Sequence, residues 1–120
     1  MATSNIPVLT SAALFVDTDI AGTAVAVKAS SAVVYEIEVD NTANGAASYL
    51  KLWNTAQGSV TVGTTVPDWV LMIPASVSRT LVMPAGITFG TALTVACTTA
   101  GGTTGSTGPT SDVTVRIVYV

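Results

Sequence analysis

The sequence predicts an all-β fold: one antiparallel β-sandwich of about eight strands, wound as a jelly roll or in an immunoglobulin-like way. Three observations predict it. Valine and threonine dominate the composition, and both are stiff at χ1 and favour strands. Apolar residues recur at alternate positions over short runs, the period of a strand rather than of a helix. Turn-forming residues separate those runs at spacings of about 8–12 residues, as in sandwiches and barrels.

The elements follow in chain order. Residues 12–17 form a first short strand, and residues 1–11 an extended N-terminal arm. Gly22 opens a turn, after which Val25 and Val27 mark a strand over 23–29. In 33–39, Val33, Tyr35, Ile37 and Val39 fall on one face and Val34, Glu36 and Glu38 on the other. Asn44-Gly45 supplies residues that tolerate positive φ. In 48–54, Leu50 and Leu52 oppose Tyr49, Lys51 and Trp53. Strands at 69–73 and 78–83 flank Pro74-Ala75-Ser76, which reads as a hairpin connection. Pro84-Ala85-Gly86 reads as a further turn before a short strand at 87–89. In 93–99, Leu93, Val95 and Cys97 alternate with Thr94, Ala96 and Thr98. Residues 100–111 form a long loop rich in glycine and threonine, which alone reads as a flexible tip. In 113–119, Val113, Val115, Ile117 and Tyr119 alternate with Thr114, Arg116 and Val118. No apolar period of 3.6 residues is sustained, so no helix is expected.

The 120 residues make a single domain, 1–120, with no room for a second core. Hydrophobic residues make up 49% and charged residues 9%, against about 25% charged in ordinary soluble domains. That composition excludes disorder. A net charge of −3, with Lys28, Lys51, Arg79 and Arg116 as the only cations, argues against nucleic acid as a partner. A spanning helix needs about 20 consecutive apolar residues, and no run here is longer than Trp69 to Ile73, so no membrane partner is expected. The first residues lack the basic and apolar regions of a signal peptide. A lone cysteine forms no intrachain disulfide, which fits synthesis in a cytoplasm.

The residues offer little for catalysis. There is no histidine, so the abundant hydroxyls lack the usual base. Cys97 shares a face with Leu93 and Val95 and is expected to be an inert core thiol. Glu36 and Glu38 mark a solvated face or pair with Arg116 across strands, rather than acting as an acid/base couple. Asp17-Thr18-Asp19 suggests local turn capping better than a calcium loop, because residue 28 is lysine where an EF-hand needs its final glutamate. Gly101-Gly102-Thr103-Thr104-Gly105 lacks the lysine of a phosphate-binding loop. No enzyme activity, cofactor or metal is expected.

The candidate interface residues are Tyr49, Lys51, Trp53 and Trp69. Tyr49, Lys51 and Trp53 share a face on which basic and aromatic groups interleave. That face can be a subunit interface, where tyrosine and tryptophan are enriched, or a sugar-stacking surface. It can also be the second face of a strand buried on both sides, and the same choice covers Trp69.

A run of pieces resembles small virion proteins of tailed bacteriophages: Tyr49-Leu50-Lys51-Leu52-Trp53-Asn54, then Val62-Gly63-Thr64-Thr65-Val66-Pro67-Asp68, then Pro84-Ala85-Gly86-Ile87-Thr88-Phe89-Gly90 and Leu93-Thr94-Val95-Ala96. The resemblance covers roughly the C-terminal 70 residues. It implies a β-sandwich structural protein of the virion, of the kind that decorates or cements capsids, often as trimers. The implied partners are the chain itself, as a homotrimer or other homo-oligomer, and the major capsid protein. The resemblance carries over no catalytic or binding residue and leaves head, tail and fibre placement open. The composition points the same way, because charge-poor surfaces on a small domain aggregate unless neighbours cover them. The alternative is a carbohydrate-recognising module on a tail or fibre, using the Tyr49/Lys51/Trp53 face.

Overall fold

The computed structural model describes residues 12–120, so the N-terminal arm expected over 1–11 lies outside the described residues. Eight strands follow in order: β1 (Ala13–Asp17), β2 (Val25–Lys28), β3 (Ala32–Asp40), β4 (Ser48–Trp53), β5 (Trp69–Ile73), β6 (Ser78–Phe89), β7 (Leu93–Thr98) and β8 (Thr114–Tyr119). The one helical turn among the described residues is a 3-10 turn at Gln57–Ser59.

The strands form two antiparallel four-stranded sheets. Sheet A has the order β1-β8-β3-β6 and sheet B the order β2-β7-β4-β5. Strand β1 pairs with β8, β2 with β7, β3 with β6 and β4 with β5. The chain is therefore one long antiparallel ribbon rolled into two layers, which is the jelly-roll winding. Immunoglobulin-like winding would instead pair the first strand with the second in one sheet. Every connection except β4–β5 crosses between sheets. Ile20 and Ala21 show how one crossing is held: the Ile20 amide donates to Val113 O at 3.0 Å, and Ala21 O accepts from the Cys97 amide at 2.9 Å.

The core lies between the sheets. Val113, Val115 and Ile117 enter it from sheet A, and Leu50, Leu52, Leu93 and Val95 from sheet B. The alternation expected over 113–119 is observed. That expected over 33–39 is not kept throughout. Between Val34 and Glu36 the register of β3 slips against both of its neighbours. Tyr35 is the extra residue, so Val34 joins Ile37 and Val39 inside while Val33 leaves the core face. Opposite Tyr35, β6 carries Met83-Pro84-Ala85-Gly86 as a wide bulge. The turn expected at Pro84-Ala85-Gly86 is thus an interruption within one long strand. Gly86 takes φ +75° there, packed against the Val33 and Tyr35 side chains.

The hairpin expected at Pro74-Ala75-Ser76 is instead a crossing, since β5 pairs with β4 and β6 with β3. A buried asparagine organises that end of the sandwich. Asn41 Nδ2 donates to Ala46 O at 3.1 Å and Pro74 O at 3.0 Å, and its Oδ1 accepts from Ser48 Oγ at 2.8 Å. Asn44 continues the network: its side chain exchanges two bonds with the Ser111 backbone, at 3.0 and 2.8 Å, and its carbonyl accepts from Ser76. Three crossings are tied together by two side chains. Asn41→Ala would strand buried carbonyls, so it is expected to cost about 1–3 kcal/mol. Urea unfolding should show a lower midpoint with an unchanged slope.

Candidate interaction surface

Strand β4 carries three of the candidate interface residues. Tyr49, Lys51 and Trp53 do lie opposite the core-facing Leu50 and Leu52, on the outer face of sheet B. That face is not a surface. Lys51 is 0% exposed and Trp53 1% exposed, because two loops of the same chain lie over them. This corrects the expectation of an interface or a sugar-stacking surface at Lys51 and Trp53 and selects the third alternative, a strand buried on both faces, with Tyr49 half-buried.

The physical reason is in the loops. The β7–β8 connection crosses sheet B as a glycine-rich strap. Gly101 lies flat on the Tyr49 ring, where a Cβ would sit 2.8 Å from Cδ1. Lys51 Nζ then donates to Gly102 O at 2.6 Å and Gly105 O at 2.8 Å. The strap turns on the Gly105 amide bond to Gly102 O, at 3.1 Å, and is tied at its base by the Thr99 amide to Thr107 O, at 2.8 Å. Further along, Gly108 packs so closely on Gly22 that a Cβ on either would meet the other's loop backbone. The loop turns carbonyls towards a cation, the opposite polarity to a phosphate cradle. Among the described residues no carboxylate pairs with the ammonium, and burial lowers the Lys51 pKa from 10.5. The expected flexible tip is therefore a fastened cover.

The β4–β5 connection covers the rest of the face. Trp53 Nε1 donates to Thr65 O at 3.0 Å, the Asn54 amide to Asp68 Oδ2 at 2.7 Å, and Thr94 Oγ1 to Thr55 O at 2.6 Å. Gln57 Nε2 reaches Ala24 O at 2.8 Å, spanning to the far edge of the sheet. All six residues of β7 are buried in consequence.

Trp69 is placed differently. It sits opposite Leu52 on the core-facing side of edge strand β5, closing the gap between the sheets over Met83, Ile87 and Phe89. It remains 43% exposed, and Val70 and Met72 beside it are also exposed. Arg79, on the facing edge strand β6, donates from Nη1 to Met72 O at 2.9 Å and bridges the two sheet edges.

The outer face of sheet A has no such cover among the described residues. Two rows cross all four strands in register. One runs Leu14, Val118, Glu36, Val82, and the other Val16, Arg116, Glu38, Thr80. Leu14 is 59% exposed, Val16 46% and Val82 60%. At the centre, Arg116 Nη1 meets Glu38 Oε1 at 3.2 Å, the cross-strand pair the sequence allows. Sequence reasoning found the Glu36/Glu38 side and its Arg116 partner but not the apolar residues around them, because Leu14, Val16, Val118 and Val82 are spread over three strands. The available signal was the charge pattern: Glu36, Glu38, Asp40 and Arg116 all point outward here, whereas Lys51 is the lone charge on the outer side of β4 and β7.

The remaining candidates resolve simply. Cys97 is buried, and burial pushes its thiol up to about 11. Asp17 Oδ1 accepts from the Asp19 amide at 2.9 Å, which is local turn capping. Hydrogen bonds from the Thr42 hydroxyl and amide hold Asp40 below the ordinary carboxylate value. Among the described residues, no three His, Cys, Asp or Glu side chains gather as a metal site, and no helix is long and apolar enough to cross a membrane. No family model, no curated protein and no solved structure matches the chain.

Proposed function

We propose that this protein is a structural assembly protein of a virion, a capsid decoration or cement protein that stabilises the head of a tailed bacteriophage by binding across capsid subunits. One observation carries the reading: a chain with 9% charge exposes apolar side chains on two separate sides. Leu14, Val16 and Val82 do so on the outer face of sheet A, and Trp69, Val70 and Met72 along the β5 edge. Two such sides suit a subunit with more than one neighbour. The jelly roll is consistent with this reading, since viral capsid domains use it, although lectins use it too. The mechanism is added contact area across subunit junctions, which stabilises the bound shell by mass action. The virion is the expected location, after synthesis in the host cytoplasm, with the major capsid protein and further copies of the chain as partners.

The carbohydrate-binding alternative depended on an accessible Tyr49/Lys51/Trp53 face, and Lys51 and Trp53 are inside. The test is quantitative labelling of purified particles. Many copies distributed over the shell are expected. A few copies at one vertex would replace the cement reading by a tail role, and absence from particles would end the virion reading altogether.

A further inference from the structure

The central charge pair of sheet A allows a choice of occupant for its open face. We propose that this face binds a second copy of the same chain, face to face, about a two-fold axis that runs parallel to the strands between β8 and β3.

The argument is one of register. Arg116 on β8 and Glu38 on β3 are cross-strand partners at the middle of the sheet. Their side chains are 44% and 38% exposed, so neither charge is used up by the intrachain contact. A face-to-face dimer has its two-fold axis in the plane of contact. If that axis lies along the strands, midway between β8 and β3, each strand of one copy covers its mirror position in the other. Arg116 then lies over Glu38 of the second copy, and Glu38 over its Arg116. The outer positions follow from the same operation. Leu14 on β1 lies over Val82 on β6 of the second copy, and Val16 over Thr80. The most exposed apolar residues of the face are thus brought onto each other at both margins. The poorest match is Val118 over Glu36.

The other in-plane axis, across the strands between the two rows, is disfavoured by charge. It would set Glu36 over Glu38 of the second copy and leave Arg116 over Val118. Like charges placed opposite each other at an interface weaken it strongly. Either axis keeps the strands of the two copies nearly aligned, one of the two ways in which sheets pack face to face, so charge decides between them. Four strands at about 4.8 Å spacing make a face about 19 Å wide, at the small end for an interface, so the pair is reversible. The β5 edge stays free for a different neighbour.

This inference deepens the assembly reading by naming one neighbour, and it is tested in free solution, so its failure is separate from failure to bind shells. Sedimentation velocity over a concentration series should show a monomer–dimer equilibrium. Arg116→Glu and Glu38→Arg should each weaken it at least about tenfold, because each homodimer sets four like charges together. The equimolar mixture should recover dimer, since every charge then faces its opposite. Both side chains are exposed and such a pair contributes little to stability, so folding, checked by circular dichroism, should survive. A second couple, Leu14→Glu mixed with Val82→Lys, tests the same axis at its margin should the first couple misfold. A wild-type chain that stays monomeric or forms trimers overturns the inference. So do single variants that dimerise like wild type, or mixtures that gain nothing.

Discussion

Trp53→Ala should cost about 3–5 kcal/mol of stability, the loss seen when a fully buried aromatic leaves a cavity. The side chain is 1% exposed, and its Nε1 bond to Thr65 O holds the β4–β5 loop against sheet B. Removing it therefore deletes packing and strands a carbonyl at once. A tryptophan displayed for sugar or for a partner would behave otherwise, with stability changed by no more than about 0.5 kcal/mol and binding lost. Guanidinium unfolding of the variant separates the two. Trp69 stays in the variant as the one remaining tryptophan and reports its unfolding.

The second large effect concerns Lys51 and has a defined pH sign. Burial lowers the ammonium pKa in the folded protein, while the unfolded chain keeps the ordinary 10.5. Between those two values the unfolded state binds more protons, so stability rises with pH. The gain begins as pH climbs through the folded value and is complete above 10.5. Lys51→Met has nothing to titrate there. The stability of wild type relative to Lys51→Met should therefore increase from neutral pH towards 10.5. A flat difference would contradict the burial of this lysine. The same variant removes both bonds to the strap, each worth about 1.5–3 kcal/mol when the donor is charged. Amides within the strap, Thr99 and Gly105 among them, should then exchange with solvent at least about tenfold faster, the factor for about 1.4 kcal/mol of lost protection.

What the sequence made legible and what it hid have separate physical origins. Strands β7 and β8 are plain in the alternation of Leu93, Val95 and Cys97 and of Val113, Val115 and Ile117, because the pleat alone decides which side chain enters the core. The bulge at Tyr35 was hidden because all of Val33, Val34 and Tyr35 are compatible with either face. Pro84 and Gly86 read as a turn because they are turn residues, yet a bulge opposite Tyr35 has the same needs: a missing donor is tolerated on edge strand β6, and positive φ suits Gly86. The crossing at Pro74 was hidden because a short connection looks alike whether the next strand pairs beside the last or joins the other sheet.

The candidate site failed for a related reason. Alternation correctly grouped Tyr49, Lys51 and Trp53, but whether a face is wet depends on loops far away in sequence. Gly101, Gly102 and Gly105 carry no side chains to hold the strap off the sheet, and Lys51 supplies the donor that fastens it. The excess of apolar residues thus divides into two parts. One part builds a second layer over sheet B within the protomer. The other is the open face of sheet A and the β5 edge, which the proposed neighbours would cover.

That division is tested most directly by hydroxyl-radical footprinting of the protein at low and high concentration, read residue by residue by mass spectrometry. Tyr49 should be weakly reactive and Trp53 unreactive at both concentrations, while Leu14 should be reactive in the dilute protein and protected when it is concentrated. A reactive Trp53 in the dilute protein, protected on concentration while Leu14 stays reactive, would contradict the account.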